Sequence, residues 1–288
     1  MDTPRTHIAV LSAAGGAVLW GTIGPVAALF STQERLASGA VRLAIGAATL
    51  LLLGGRTRLR RNDFLPLALG AMGVAGFQLS YFAAVGASGV AVSTAVGIGL
   101  APILTGLWTS IGTRRAPSTW WVVGTVFAVG GLCLLAFAGG GPVTVSPLGL
   151  LLSAAAAAFF SVQVVAMQTL VTRHAGTTVL SAMFALAALL LMPVTIATAT
   201  PSMLSPTVIS GVVYLGVVTA GVAYWLYARG ASLLDAPAAA TISLLEPAGA
   251  AVLAAVLLHE HVSHAQWLGI VCICGAIMVT GSRRPAAV

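Results

Sequence analysis

Residues 236–258 read APAAATISLLEPAGAAVLAAVLL, and this run decides the class of the protein. A membrane-spanning helix needs roughly 20 mostly apolar residues, and the run supplies them. Its one charged side chain, Glu246, stands directly before Pro247 near the middle of the run. A charge at the centre of a bilayer costs at least ~2.5–3.5 kcal/mol on insertion scales, so it requires a structural or functional reason. The run therefore predicts a membrane helix that carries a polar element at depth.

The rest of the chain has the same character. Of its 288 residues, 59% are hydrophobic and 7% are charged, with a mean hydropathy of +1.04, whereas a soluble domain carries about 25% charged residues. These values exclude a water-soluble fold and leave no room for a separate catalytic or nucleic-acid-binding domain. The apolar runs lack the alternation of barrel strands, so we predict an all-α polytopic membrane protein with ten transmembrane helices. The runs lie at 8–30, 36–53, 65–83, 89–111, 120–138, 148–171, 178–197, 208–227, 236–258 and 265–281.

The positive charges predict the orientation of these helices. The formal net charge is +7, and the arginines cluster in every second connection, as the positive-inside rule requires of cytoplasmic segments. Arg35 falls in a predicted outer connection and Arg42 lies within a span. We therefore expect both termini in the cytoplasm, and the basic charge reflects topology rather than nucleic-acid binding. The arginines on the predicted cytoplasmic side are Arg5, Arg56, Arg58, Arg60, Arg61, Arg114, Arg115, Arg173, Arg229, Arg283 and Arg284.

The two halves of the chain resemble each other. The third predicted span ends in YFAAVGAS at residues 81–88, and the eighth ends in WLYARGAS at 225–232. The fourth span carries Leu-Ala-Pro at 100–102, and the ninth carries Leu-Glu-Pro at 245–247. A half of five helices places its copy upside down in the membrane. Such inverted repeats are typical of secondary transporters, whose substrate sites lie near the midplane where the repeats meet.

A set of residues spread over both halves resembles a known family, the EamA-type members of the drug/metabolite transporter superfamily, and within it the YddG-type exporters. The resemblance implies two inverted five-helix repeats, residues 1–140 and 141–288, and the export of amino acids and related metabolites. The first half departs from the second, because Ala101 and Arg114 replace Glu246 and His259. The residues that carry the resemblance are Trp20-Gly21, Arg42, Pro102, Leu245-Glu246-Pro247 and Glu260.

The third span offers a candidate substrate site. Gln78 and Tyr81 are three residues apart and share one helical face. Gly70, Gly73 and Gly76 precede them, and small residues of this kind let neighbouring membrane helices approach closely. An amide and a phenol suit a small zwitterion, although they would equally serve as a polar clamp between helices.

Other polar and aromatic side chains extend the predicted cavity. Trp20 lies beside a glycine- and proline-containing segment that we expect to be broken, where it would stack on substrate, gate, or simply pack. Tyr224 and Tyr227 are also three residues apart, but Tyr227 and Trp225 approach the cytoplasmic end, which is typical of interfacial belt residues. The candidate substrate-binding residues are Trp20, Gln78, Tyr81, Gln163, Tyr224 and Ser243.

A second group of residues is predicted to couple or gate transport. Glu246 would pair with a substrate ammonium, act as a protonatable coupling group, or tie helices at the proline break. Arg42 would pair with Glu246, bind a substrate carboxylate, or snorkel outward. Pro102 and Pro247 mark corresponding places in the two halves, where we expect the helices to bend.

Several motifs point to no further chemistry. The three cysteines lie inside apolar runs and are odd in number, which argues against disulfides. His259–His264 misses the HExxH metal motif by one residue. Gly139–Pro142 lacks the lysine of a phosphate loop. We therefore expect no metal, cofactor, catalytic residue or nucleic-acid partner.

The leading hypothesis is a secondary transporter that exports small amino acids, aromatic ones included, by alternating access across the inner (plasma) membrane. Its partners would be a small-molecule substrate and membrane lipid, and the repeat favours a self-sufficient monomer. The alternatives are an exporter of cationic drugs and an intramembrane lipid-modifying enzyme. The resemblance implies that drug-exporting branches of the family carry an acidic residue in the first span, and residues 8–30 contain none. The absence of lysine or a second central carboxylate counts against the enzyme.

Overall fold

The computed structural model of the protein describes residues 3–54, 57–138, 145–257 and 261–281, and within these ranges it contains helices and no strands. Two short 3₁₀ helices lie at Arg61–Asp63 and Pro201–Leu204, and a π-helix lies at Leu215–Val222. The α-helices are α1 (Thr3–Trp20), α2 (Ile23–Ala28), α3 (Thr32–Leu53), α4 (Phe64–Gly97), α5 (Leu100–Thr113), α6 (Thr119–Phe137), α7 (Pro147–Val171), α8 (Gly176–Thr198), α9 (Pro206–Tyr214), α10 (Ala223–Ala231), α11 (Ala236–Ile242), α12 (Leu245–Leu257) and α13 (His264–Gly281).

Eight helical segments of the described chain are long and apolar enough to cross a membrane, and a shorter apolar helix follows at His264–Val279. The all-helical prediction is confirmed, and the protein is a multi-pass membrane protein. The predicted residues Arg56, Gly139–Pro142, His259, Glu260, Arg283 and Arg284 lie outside the described ranges, as does the predicted boundary at 140/141. The eight segments are His7–Ala28, Thr32–Leu53, Arg61–Gly97, Thr119–Phe137, Pro147–Val171, Gly176–Thr198, Pro206–Ala231 and Ala236–Leu253.

Three of the predicted spans are broken in the middle. Gly21 and Thr22 separate α1 from α2, as the glycines and proline of this segment predict. Gly21 is needed there because a Cβ would lie 2.6 Å from the backbone nitrogen of Ala250. Ser243 and Leu244 separate α11 from α12, so Glu246 falls in the first turn of α12.

The break in the fourth predicted span has two parts. α4 runs through the expected loop at 84–88 and kinks at Gly89, whose φ of 75° favours glycine. Ile98 and Gly99 then separate α4 from α5. The outer part of the predicted fourth span is therefore the C-terminal part of α4, and the rest is α5.

Polar caps define where several helices begin. Ser31 accepts a hydrogen bond from the backbone of Glu34, whose carboxylate accepts one from the Ser31 backbone in return, which is a capping box. Asp235 caps α11 by accepting from the backbone of Ala238 at 2.8 Å. Arg35, in the predicted outer connection, donates through Nε to the carbonyls of Ala27 and Phe30 at the end of α2. Its position there is explained by this cap.

The most extensive helix contacts join the first half of the chain to the second. They pair α4 with α7, α3 with α8, α6 with α13, and α1 with α10. Small residues allow these contacts: a Cβ on Gly73 would lie 2.7 Å from the Phe159 carbonyl of α7. The halves therefore interlock rather than stand side by side.

One prediction about the interior is wrong. Tyr227 is 1% exposed and packs against Trp20 with ring centroids 4.9 Å apart, so it is not an interfacial belt residue. It lies where α10 meets α1, and the backbones approach closely there because Gly16 faces Ala223 and Tyr227. Trp225 is partly exposed and lies under the guanidinium of Arg229, 4.9 Å from its ring centroid.

A polar cavity between the halves of the chain

A cavity of about 100 Å³ lies between helices of both halves. It is lined by α1, α3 and α4 from the first half and by α7, the π-helix, α10 and the α11–α12 break from the second. The structure thus brings together eight of the ten residues that the sequence predicts for the site. These are Trp20, Arg42, Gln78, Tyr81, Gln163, Tyr224, Ser243 and Glu246.

The two predicted prolines lie elsewhere. Pro247 lines a neighbouring, wider cavity next to Glu246. Pro102 is buried in the first turn of α5 and lines neither cavity. Its place at the N-terminal end of α5 suits proline, since the missing N–H is unpaired at a helix start in any case.

Arg42 projects from α3 into the cavity. One terminal nitrogen of its guanidinium donates to the side-chain oxygen of Gln78 on α4, while its buried Nε has no hydrogen-bond partner. Gln78 can lie this close to α3 because Gly39 stands opposite, where a Cβ would collide with its amide. Arg42 therefore points inward, and the snorkelling alternative is wrong.

Glu246 faces the same cavity from the start of α12. It is partly exposed, and no described side chain donates a hydrogen bond to its carboxylate. It interacts electrostatically with Arg42 without forming an ion pair within 4.0 Å. The first turn of a helix favours a negative charge, and Pro247 fits the same turn.

Rings form one wall between α4 and α7. Phe77 and Tyr81 stack with centroids 5.5 Å apart, and Phe160 packs against Phe77 at the same distance. The hydroxyl of Tyr81 shares a 2.7 Å hydrogen bond with Thr94. This wall presents apolar ring faces with one anchored phenol.

A second wall joins α1 to the π-helix and α10. Trp20 and Tyr224 lie 4.6 Å apart between ring centroids. The Trp20 indole N–H donates to the Thr219 carbonyl at 3.1 Å, within the π-helix, a rare turn type that is frequent at functional sites. The Tyr224 hydroxyl accepts a hydrogen bond from the amide of Gln163 at 3.3 Å. These contacts place aromatic and amide groups on one continuous surface.

The cavity continues into a vestibule of about 540 Å³, which shares Trp20, Tyr81 and Glu246 with it. Small residues of α2, the C-terminal part of α4, the end of α6 and the start of α12 line the vestibule, and Arg35 lies at its rim. The small residues that line the vestibule include Gly24, Ala27, Ala28, Ala91, Ala136 and Ala250.

One side of the cavity is closed by a buried cluster that includes Phe160 of its lining. The cluster contains four alanines: Ala101 of α5, Ala157 of α7, and Ala236 and Ala240 of α11. The Tyr227 hydroxyl donates to the Ala239 carbonyl at 2.8 Å. We call this the closed end.

The sequence reasoning missed several lining residues. Phe77 lies four residues before Tyr81 and Phe160 three before Gln163, so helical spacing could have found them. Thr219 carries no such signal, because its carbonyl meets Trp20 only through the π-helix. Within the described ranges, no three potential metal ligands come together.

Comparison with known proteins places the fold among transporters. Residues 7–137 and 147–282 each match the EamA-like transporter family. The chain is 32% identical over 274 residues to the uncharacterized transporter YwfM of Bacillus subtilis (strain 168), covering 93% of this chain and 92% of that protein. A crystal structure with 23% sequence identity superposes with a TM-score of 0.78, covering 94% of this chain and 97% of that one, which shows a shared fold.

Proposed function

The chain belongs to the EamA-like transporter family, and we propose that it exports small amino acids and related metabolites across the inner (plasma) membrane by alternating access. Family membership makes it a membrane transporter of small molecules. The observation that carries the finer proposal is the cavity in which one arginine and one glutamate face a common space walled by aromatic rings.

This combination suits an amino acid. A guanidinium binds a carboxylate through paired donors, which assigns the substrate carboxylate to Arg42. A carboxylate pairs with an ammonium, which assigns the substrate amine to Glu246. Trp20, Tyr81 and Tyr224 would pack against the side chain, with Gln78, Gln163 and Ser243 completing the polar lining.

We further propose that the chain crosses the membrane ten times as two inverted repeats, residues 1–140 and 141–288, with both ends in the cytoplasm. The match of the same family to both halves supports this division. So does the position of two helix breaks, Ile98–Gly99 and Ser243–Leu244, at corresponding places in the halves. In this orientation the vestibule opens outward and the closed end faces the cytoplasm. Pro102 and Pro247 would flank the segments that move.

The experiment is radiolabelled amino-acid counterflow in proteoliposomes that contain the purified protein, with unlabelled amino acids and cationic drugs as competitors. We expect saturable exchange of amino acids that the double variant Gln78→Ala/Tyr81→Ala weakens at least tenfold. The matched control is Phe127→Leu, because Phe127 is 58% exposed on the lipid-facing surface of α6. Absence of amino-acid exchange, together with counterflow of a radiolabelled cationic drug in the same proteoliposomes, would overturn the proposal in favour of drug export.

A further inference from the structure

We propose, resting on the function above, that Arg42 and Glu246 form a charge-matched pair that restricts transport to amino acids with uncharged side chains. Among the described residues that line the cavity of about 100 Å³, these two carry the formal charges, one of each sign. They lie on α3 and α12, so that a ligand between them contacts both halves of the chain.

Each member of the pair lacks a full set of partners. Arg42 has the oxygen of Gln78, but its Nε is buried without any hydrogen bond. Glu246 has no donor among the described side chains and does not contact Arg42 directly. Charges removed from water are stable only when paired and hydrogen-bonded. The missing partners are an anion beside Arg42 and a cation beside Glu246, which a zwitterion provides in one molecule.

The other described residues that line the cavity carry no formal charge. Phe77, Phe160 and Tyr224 present ring faces, and Gln163 is neutral. The ammonium of lysine or the second carboxylate of aspartate would therefore enter this space without a counter-charge. The site as a whole is neutral, and it matches a ligand whose own charges sum to zero.

Gln78 is the positioning residue of the pair. Its amide oxygen accepts from the guanidinium, and its own position depends on the space left by Gly39. Replacing Gln78 should therefore weaken the recognition of the carboxylate and leave that of the ammonium unchanged.

The test compares ligands of different charge in the counterflow assay, of which alanine, its amide and lactate are also matched in size. The panel is alanine, its amide (a cation), lactate (an anion), lysine and aspartate. With the unmodified protein we expect alanine to compete at least 100-fold more strongly than lysine or aspartate. Equal competition by lysine, aspartate and alanine would overturn the inference while leaving an amino-acid transporter. Absence of exchange with every amino acid would instead overturn the proposed function.

Two variants sharpen this test. Arg42→Gln should weaken competition by alanine about tenfold or more and make the alanine amide a better ligand than alanine. Glu246→Gln should instead make lactate a better ligand than alanine. Ligand-induced thermal stabilisation of the detergent-purified variants reports binding even where transport has stopped. If both variants lose all five ligands to the same degree, the charges are structural and the inference is wrong. Should either variant fail to fold, Gln78→Ala replaces it: selective loss of lactate competition supports the inference, and uniform loss overturns it.

Discussion

Ala91 and Ala236 hold corresponding positions in the two halves, 145 residues apart like Pro102 and Pro247, yet they meet opposite surroundings. Ala236 is 8% exposed and packs at the closed end against Ala101 and its neighbours. Ala91 lines the vestibule of about 540 Å³. The same residue type is buried at one end of the molecule and faces open space at the other.

The difference shows that local sequence does not decide which end is closed. Membrane helices associate through close packing of small residues, and both ends carry the small side chains that such packing needs. Closing the vestibule in the way that the closed end is closed here would require no change of residue type at these positions. This supports the proposed alternation, in which the halves exchange conformations.

The largest expected effect comes from enlarging an alanine of the closed end. Ala240 is 0% exposed within the four-alanine cluster, and Ala240→Leu would overpack it at about 1–3 kcal/mol. That is about 5- to 150-fold in the balance between the two proposed states. We expect a cysteine placed at Ala28 in the vestibule, in a background without Cys133, Cys272 and Cys274, to react more slowly with a membrane-impermeant thiol reagent.

The matched control is Ala91→Leu, which projects into the vestibule. In this variant the cysteine at position 28 should stay highly reactive. Transport should be slower because the leucine obstructs closure of the vestibule. Equal reactivity of the cysteine at position 28 in both leucine variants would show that packing at the closed end does not control access to the vestibule.

An effect on stability rather than on the balance between the two states is expected from adding one methyl group where backbones touch. A Cβ on Gly16 would lie 3.0 Å from the backbone nitrogen of Tyr227 and closer still to the Ala223 carbonyl. Gly16→Ala should therefore lower the midpoint of thermal unfolding, at a cost of about 1–3 kcal/mol. Gly24→Ala, in the vestibule with nothing within 4 Å, should keep or raise it, because alanine is favoured over glycine in a helix. A lower midpoint for Gly24→Ala than for Gly16→Ala contradicts this expectation.

The smallest effect concerns one hydrogen bond at each end. Tyr227→Phe removes one of the two hydrogen bonds to the Ala239 carbonyl at the closed end and leaves only the 3.3 Å bond from the Ser243 backbone N–H. The loss should cost about 1 kcal/mol and raise cytoplasmic accessibility several-fold. Tyr214→Phe removes a 3.1 Å bond to the Thr22 hydroxyl, but that hydroxyl also donates to Leu19. We expect no measurable change there. Thiol labelling from the cytoplasmic side of inside-out vesicles distinguishes the two.

The helices and most of the polar lining residues could be predicted from sequence because both depend on local signals. Apolar runs of span length predict helices, and polar groups within them, such as Gln78, Arg42 and Glu246, stand out against that background. The break after Trp20 is predictable for the same reason, since glycine and proline disrupt helices wherever they are placed.

The orientation of side chains within the helix bundle is harder to predict, and the wrong predictions concern such orientations. The distance of Tyr227 from the end of its span predicts an interfacial position, but its burial depends on the approach of α1 to α10. The π-helix at 215–222 has no local pattern, so the contact between Trp20 and Thr219 could not be foreseen. Gly89, where α4 kinks, is one of many glycines in apolar runs. Only its place in the packed bundle distinguishes it from the others.

The interlocked helix pairs have a consequence for how the chain is made. α1, α3, α4 and α6 leave the ribosome before α7, α8, α10 and α13, against which they pack most extensively. The first half therefore enters the bilayer with its small-residue faces against lipid and finds its principal contacts only after the second half has been synthesised. These pairs are complete only once α13 has been synthesised. A nascent chain that stops at the midpoint exposes small-residue faces without their partner helices, so it is not a smaller version of the folded protein.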